Sequence, residues 1–395
     1  MVLGIAVGLA GHAWLSAGQI AQLTDGLGLV TFAFLRLIRM IIAPLVLSTL
    51  IVGIAHMEDA AAISRVGARA IAWFVLASLV SLVLGLIMVH LFQPGVGLAL
   101  PHAAGAAPAT AAALTLTDFL THLIPRSIVE ALANNEILQI VVFACFLGTA
   151  MAATQDRAPA ILALAEQVAA VMLKITSYVM KLAPIVVFAA LASTVATQGA
   201  GVLLTYARFV GSFYLALLLL WTILLGVAAV IRRGGSRPLL NAIREPVLLA
   251  FSTASSEAAY PRLLEELQRI GLPRRIVSFV LPLGYSFNLD GSTMYCTFAT
   301  LFIAQAYGID LTLGQQVTLL LIMMVTSKGM AGVPRASLVV ILAALPYFHI
   351  PEAGLLLVLA VDHLLDMGRS GTNIVGNAVA CVVVDAWEGR AKAVQ

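Results

Sequence analysis

Apolar runs near residues 29–55, 67–93, 136–153, 182–198 and 204–231 recur along this 395-residue chain. Each reaches the length, about 17–25 residues, that a helix needs to cross the hydrocarbon of a bilayer. A chain carrying five of them cannot leave them in water. Composition agrees, with 61% hydrophobic residues and only 10% charged, at a mean hydropathy of +1.03; a soluble globule is excluded. No strand-like alternation recurs, which excludes a membrane barrel. The chain reads as an all-α polytopic membrane protein. Met1 to Trp14 is apolar with neither a basic start nor a small-residue cleavage site, so it reads as a short or trimmed first span rather than a signal peptide.

The basic residues cluster in some connections and are missing from others. Arg65 and Arg69 fall in 54–70, Arg157 in 154–166, Arg232, Arg233, Arg237 and Arg244 in 232–246, Arg269, Arg274 and Arg275 in 268–276, and Arg390 and Lys392 in the tail. The positive-inside rule places these, and the C-terminus, in the cytoplasm. Connections 15–28, 93–113 and 196–203 have no Lys or Arg and read as outside. A net charge of +3 so distributed assigns topology and gives no reason to expect a nucleic-acid partner. Cys145, Cys296 and Cys381 show no paired spacing, so neither a zinc site nor a disulfide framework is expected.

Beyond residue 231 the regular spacing fails. Residues 247–267 begin apolar, break into Ser252, Thr253, Ser255, Ser256 and Glu257, and return through a Pro261-led amphipathic stretch to a basic connection. A segment that starts and ends on one side with a polar tip is a re-entrant hairpin. Residues 313–345 repeat the design from the other side, with a tip holding Thr326, Ser327, Lys328, Gly329, Gly332 and Pro334. Between them, 276–308 is interrupted at Ser286, Asn288, Asp290, Gly291 and Ser292. Unwound backbone survives at membrane depth only where it is buried in protein or lines a cavity. Opposed hairpins, each followed by a span with polar features, make an inverted repeat, the design that puts solute and ion sites at the midplane.

The last helix carries Asp362, Asp366, Arg369, Ser370, Asn373 and Asn377 on one stripe, within an arc of roughly 100°. Each ionisable group at membrane depth costs roughly 2.5–3.5 kcal/mol on insertion scales, so three on one face need partners or a substrate.

These residues resemble the dicarboxylate/amino acid:cation symporters, the family of archaeal aspartate transporters, bacterial proton/sodium glutamate-aspartate symporters and mammalian excitatory amino acid transporters. The match rests on Thr253-Ala254-Ser255-Ser256-Glu257, Asn288-Leu289-Asp290-Gly291-Ser292, Ser327-Lys328-Gly329-Met330-Ala331-Gly332-Val333-Pro334 and the Asp362 to Asn373 stripe, in that order. Arg36-Leu37-Ile38-Arg39-Met40 followed by Pro44 resembles the family's second span. The resemblance implies eight transmembrane helices plus the two hairpins, assembled as a homotrimeric, elevator-type transporter. A scaffold would comprise 1–66 (spans 1 and 2) and 94–203 (spans 4 and 5). A moving transport domain would comprise 67–93 (span 3), 204–235 (span 6), hairpin 1 at 236–274, span 7 at 275–311, hairpin 2 at 312–349 and span 8 at 350–388, with 389–395 as a cytoplasmic tail. The expected setting is a bacterial inner membrane.

The resemblance also implies roles. Arg369, a planar fork of donors, is expected to hold the substrate's side-chain carboxylate, and Asp366 to meet its amino group. Asp366 favours glutamate or aspartate over a plain C4-dicarboxylate, whose carriers lack that acid; a C4-dicarboxylate carrier, suggested by Asn377 and the Ser255-Ser256-Glu257 tip, is the alternative. Asn373 with the Ser255/Ser256 tip is expected at the α-carboxylate, with Ser292, Ser370 and Gly332 lining the pocket; each serine is as readily explained by helix packing.

The coupling ion is where the chain departs from sodium-driven members. Asn377 stands where they have an acidic ligand, and Phe74 and Ala77 stand where they have Tyr and Thr, leaving Ser78. Losing oxygen ligands weakens a hard-cation site. Lys328 lies in the ligand stretch of a second sodium site, where its ammonium either mimics a bound cation or snorkels outward. Proton coupling is therefore expected, with Asp290, Asp362 or Glu257 as carrier, since the acid that takes a proton in mammalian members aligns with Cys296. A weak sodium remains possible at Asn288, Asp290 and Asn373, with Asn377, Ser78, Ser286, Ser327 and Lys328 as further candidates for coupling. No cofactor or resident metal is expected beyond the coupling ion, H+ or possibly Na+. A channel would not need the Arg369/Asp366 pair, and an intramembrane enzyme lacks support, there being no HExxH and no paired nucleophile and base.

Overall fold

In lipid every backbone N–H and C=O must be satisfied within the chain, so apolar runs of this length become helices. The computed structural model describes residues 2–62, 65–98, 124–154, 159–232, 237–329 and 336–392, and no strand occurs among them. The helices are α1 (Val2–Trp14), α2 (Ala17–Ala62), α3 (Arg65–Phe92), α4 (Ile128–Asn134), α5 (Ile137–Ala153), α6 (Pro159–Met180), α7 (Ala183–Gln198) and α8 (Gly201–Arg232). There follow α9 (Arg237–Thr253), α10 (Tyr260–Arg269), α11 (Arg274–Phe287), α12 (Asp290–Ala306), α13 (Leu313–Thr326), α14 (Ala336–Ala344), α15 (Leu355–Leu359) and α16 (Asp362–Lys392).

Four stretches among the described residues are long and apolar enough to cross a membrane: Ala17–Leu37, Val66–Phe92, Pro159–Val179 and Gly201–Arg232. Two of these correct the sequence reading. Residues 15–28, read as an outside connection, are mostly the first turns of α2, a continuous 46-residue helix. Gln19, Gln22 and Asp25 are its exposed face, and Thr24 Oγ1 donates back to the Ile20 carbonyl at 3.0 Å, so nothing there ends the helix. Likewise 154–166 is not wholly a connection, because α6 begins at Pro159, a residue suited to a helix start.

The packing falls into two groups. α2 lies against α5, α6 and α7, and α1 against α7. In the second group α16 is the hub, touching α3, α8, α9, α11 and α12, while α12 also packs on α3. Every residue of α12 except Gln305 is buried, and α16 is buried throughout Asp366–Val384 but for Met367. Aromatic contacts tie α8 to α12: Phe209 stacks on Phe302 at 3.9 Å between centroids, and Phe213 meets Tyr295 edge-on at 5.3 Å.

The interruptions take definite shapes. α9 stops at Thr253 and the chain returns through a 3-10 turn, Glu257–Ala259, into α10. α13 passes into a 3-10 turn at Ser327–Gly329, and α14 runs back from Ala336. The break between α11 and α12 is narrower than the motif that signalled it: only Asn288 and Leu289 leave the helix, while Ser286 lies in the last turn of α11 and Asp290, Gly291 and Ser292 open α12.

Candidate functional site

The polar stripe of α16 faces the start of α12. Arg369 is wholly buried, and its Nη2 donates to Asp366 Oδ1 at 2.6 Å and to Asp362 Oδ1 at 3.0 Å. The same Asp362 oxygen accepts from Tyr295 Oη at 2.8 Å, and the guanidinium lies over the Tyr295 ring at 3.9 Å. One cation thus sits between two carboxylates and an aromatic face, which is how a charge survives burial. Arg369 Nε and Nη1 are enclosed and have no hydrogen-bond partner among the described residues. Two unmatched donors on a buried guanidinium fit an incoming carboxylate.

One turn further along α16, Asn373 Oδ1 accepts from the backbone N–H groups of Gly291 at 3.0 Å and Ser292 at 3.4 Å, and its Nδ2 donates to Ser292 Oγ at 3.1 Å. Asn373 therefore satisfies the opening amides of α12. Ser370 is buried beside Arg369 on the same helix. Asn377, also wholly buried, has no hydrogen-bond partner on either amide atom among the described residues and presses on Gly284, where a Cβ would lie 2.0 Å from its Oδ1.

At the break, Asn288 Nδ2 donates to Asp290 Oδ2 at 3.2 Å, and both residues are fully buried, each with an Oδ1 lacking a protein partner. Asp290 fits only because Gly376 faces it: a Cβ there would lie 2.1 Å from Asp290 Oδ2. Lys328 does not snorkel outward. Its Nζ donates to Ser78 Oγ on α3 and, at 2.8 Å, to the carbonyl of Phe287. Ser327 is buried, with its Oγ donating to Met324 O at 3.3 Å. Phe74 and Ala77 are buried on α3 near Ser78 and offer no oxygen side chain.

The first hairpin's tip is held by its own chain. Ala254 takes a left-handed φ of 49°, Ser255 N–H donates to the Ala250 carbonyl at 3.1 Å, and Thr253 Oγ1 donates to the Leu249 carbonyl at 2.8 Å. Ser256 is buried, Ser255 half-buried and Glu257 exposed. α9, which leads into this tip, packs along α16. Gly332 and the side chain of Ser286 lie outside the described residues.

Sequence reasoning missed Tyr295, which joins Arg369 and Asp362, and Trp221, whose Nε1 donates to Thr372 Oγ1 at 2.8 Å. A tyrosine three positions after Ser292, inside a span otherwise apolar on that face, was the available signal for the first. It also missed Gly376 and Gly284, which leave room for Asp290 and Asn377.

A broken helix, helix–turn–helix returns and a buried Arg between acids fit a solute transporter rather than an enzyme. The chain belongs to the sodium:dicarboxylate symporter family, matching it over residues 1–387. It is 37% identical over 397 aligned positions to the proton/sodium-glutamate symport protein of Bacillus subtilis (strain 168), covering 98% of this chain and 91% of that one. It is 39% identical to the C4-dicarboxylate transport protein of Cupriavidus necator (98% and 90% covered), and 42% identical to that of Paraburkholderia xenovorans strain LB400 (90% and 85% covered). It is an integral membrane transporter of dicarboxylate or glutamate type.

Proposed function

We propose that this member is a secondary active symporter that imports L-aspartate or L-glutamate together with protons. The observation that carries the reading is Asp366 at 2.6 Å from a buried Arg369 whose Nε and Nη1 lack protein partners. The free donors of Arg369 would take the substrate's side-chain carboxylate. Asp362 would keep its bond to Nη2, and Asp366 would turn to the substrate's ammonium, which a plain dicarboxylate lacks. The Ser255/Ser256 tip, Ser292, Ser370 and Asn373 would close around the α-carboxylate. Asp362, Asp290 and Glu257 are the carriers proposed for the proton, with Asn377, Phe74 and Ala77 supporting the loss of sodium ligands.

The alternative is a C4-dicarboxylate carrier, the name borne by the Cupriavidus and Paraburkholderia relatives. In that reading Asp366 stays on Arg369 and only balances its charge. Counterflow in proteoliposomes separates the two. The account expects L-aspartate and L-glutamate to outcompete succinate and malate, and Asp366→Ser to lose the amino acids while keeping succinate. Succinate winning in the unaltered protein would instead select the C4-dicarboxylate carrier.

The two packing groups support a further part of the reading, in which the α16-centred group slides against the α2-centred group as an elevator. The assembly is proposed as a homotrimer in a bacterial inner membrane, with the basic connections and the C-terminus in the cytoplasm.

A further inference from the structure

A lysine at the tip of a membrane hairpin ordinarily lays its stem along apolar surface and keeps its ammonium in water. Lys328 does the reverse. From the 3-10 turn Ser327–Gly329 its Nζ reaches inward to Ser78 Oγ, on a fully buried residue of α3, and to the Phe287 carbonyl at 2.8 Å. That carbonyl is available because of the break. In a continuous helix it would accept from Gly291 N–H, but that amide donates to Asn373 Oδ1 instead. Asp290, three residues beyond Phe287 in the first turn of α12, supplies a buried carboxylate at the same break. Asp290 Oδ1 and Asn288 Oδ1 beside it are buried without protein partners. A hydroxyl, a backbone carbonyl, a carboxylate and an amide oxygen form the donor set that a small hard cation takes. The group found on the hydroxyl and the carbonyl is an amine on a tether. The turn that carries it also packs on α2, α11 and α12, so the tether spans from the hairpin to the core.

We propose that Lys328 Nζ is a resident cation, filling a monovalent-cation position made by Ser78 Oγ and the Phe287 carbonyl, with the Asp290 carboxylate as its counter-charge at the same break. The inference does not depend on which acidic solute is carried. Removing the amine empties the position while leaving its oxygens, and a free cation then has somewhere to bind.

The test needs no transport. The thermal midpoint of the purified full-length protein is followed against sodium, lithium, potassium and methylammonium, with choline holding ionic strength constant. The unaltered protein is expected to be indifferent. Lys328→Ala is expected to gain a saturable rise of about 2–4 °C with sodium or methylammonium, and Ser78→Ala added to it should abolish that gain. Lys328→Met, which keeps the stem, replaces Lys328→Ala if the smaller side chain prevents folding; a variant that folds only when one of these cations is present supports the proposal equally. Equal response of variant and unaltered protein, a gain that survives Ser78→Ala, or variants that no cation rescues would each overturn it. Because flux is never measured, such a failure leaves the substrate reading intact, and a wrong substrate leaves this result intact.

Discussion

Arg369 shows how one residue sets the character of the site. Its charge is balanced by Asp362 and Asp366 at 3.0 and 2.6 Å, with Tyr295 beneath it. Removing one partner of a buried ionic cluster leaves uncompensated charge and costs about 3–5 kcal/mol. Arg369→Ala is therefore expected to lower the thermal midpoint as well as abolish uptake, whereas Arg369→Lys keeps the charge but loses the planar fork, so uptake should fall with stability largely retained. Equal loss of stability in both would show that the fork, not the charge, holds the cluster. Gly376 works through space rather than charge. With a Cβ 2.1 Å from Asp290 Oδ2, Gly376→Ala must displace Asp290, an overpacking cost of about 1–3 kcal/mol, which thermal unfolding in detergent reads directly.

At the scale of elements, the turn between α9 and α10 is a distinctive feature, and it holds a residue of unusual geometry. Ala254, at φ 49°, is left-handed with a Cβ, a conformation that a β-branched residue tolerates poorly. Ala254→Val is expected to lower the thermal midpoint and slow uptake, while Ala254→Gly does neither; equal behaviour of the two would show that the tip relaxes freely. The turn after Thr253 and the break at Asn288-Leu289 were legible in the sequence, because polar and small residues interrupt apolar runs there and unwound backbone needs cover; most of the second tip lies outside the described residues. The reach of α2 and the start of α6 were not. Gln19, Gln22 and Asp25 look like a connection, but as the exposed face of a helix they are equally at home, and one-dimensional pattern cannot separate the two. The stripe of α16 was legible from its period. Its partners were not, since Tyr295 to Asp362 and Lys328 to Ser78 are contacts between residues 67 and 250 positions apart.

For the whole molecule, the proposal is an acidic-solute site carried by a body that moves. The α2-centred helices and the α16-centred helices each pack mainly within their own group, and the second hairpin's tip touches both. If the first group is a scaffold, it supplies the contacts between copies, and the mass of the detergent-solubilised complex should correspond to three chains; a stable single chain active in liposomes would remove the trimer from the account. The chemistry of the site then decides the energetics. Neutral Asn377, Phe74 and Ala77, with an amine on Ser78, leave few oxygens for sodium. The most direct test is uptake of labelled L-aspartate and L-glutamate into proteoliposomes, with an inward proton gradient and an inward sodium gradient imposed separately at a clamped membrane potential. The account predicts uphill accumulation with protons alone; accumulation only with sodium, or none of either amino acid under any gradient, would contradict it.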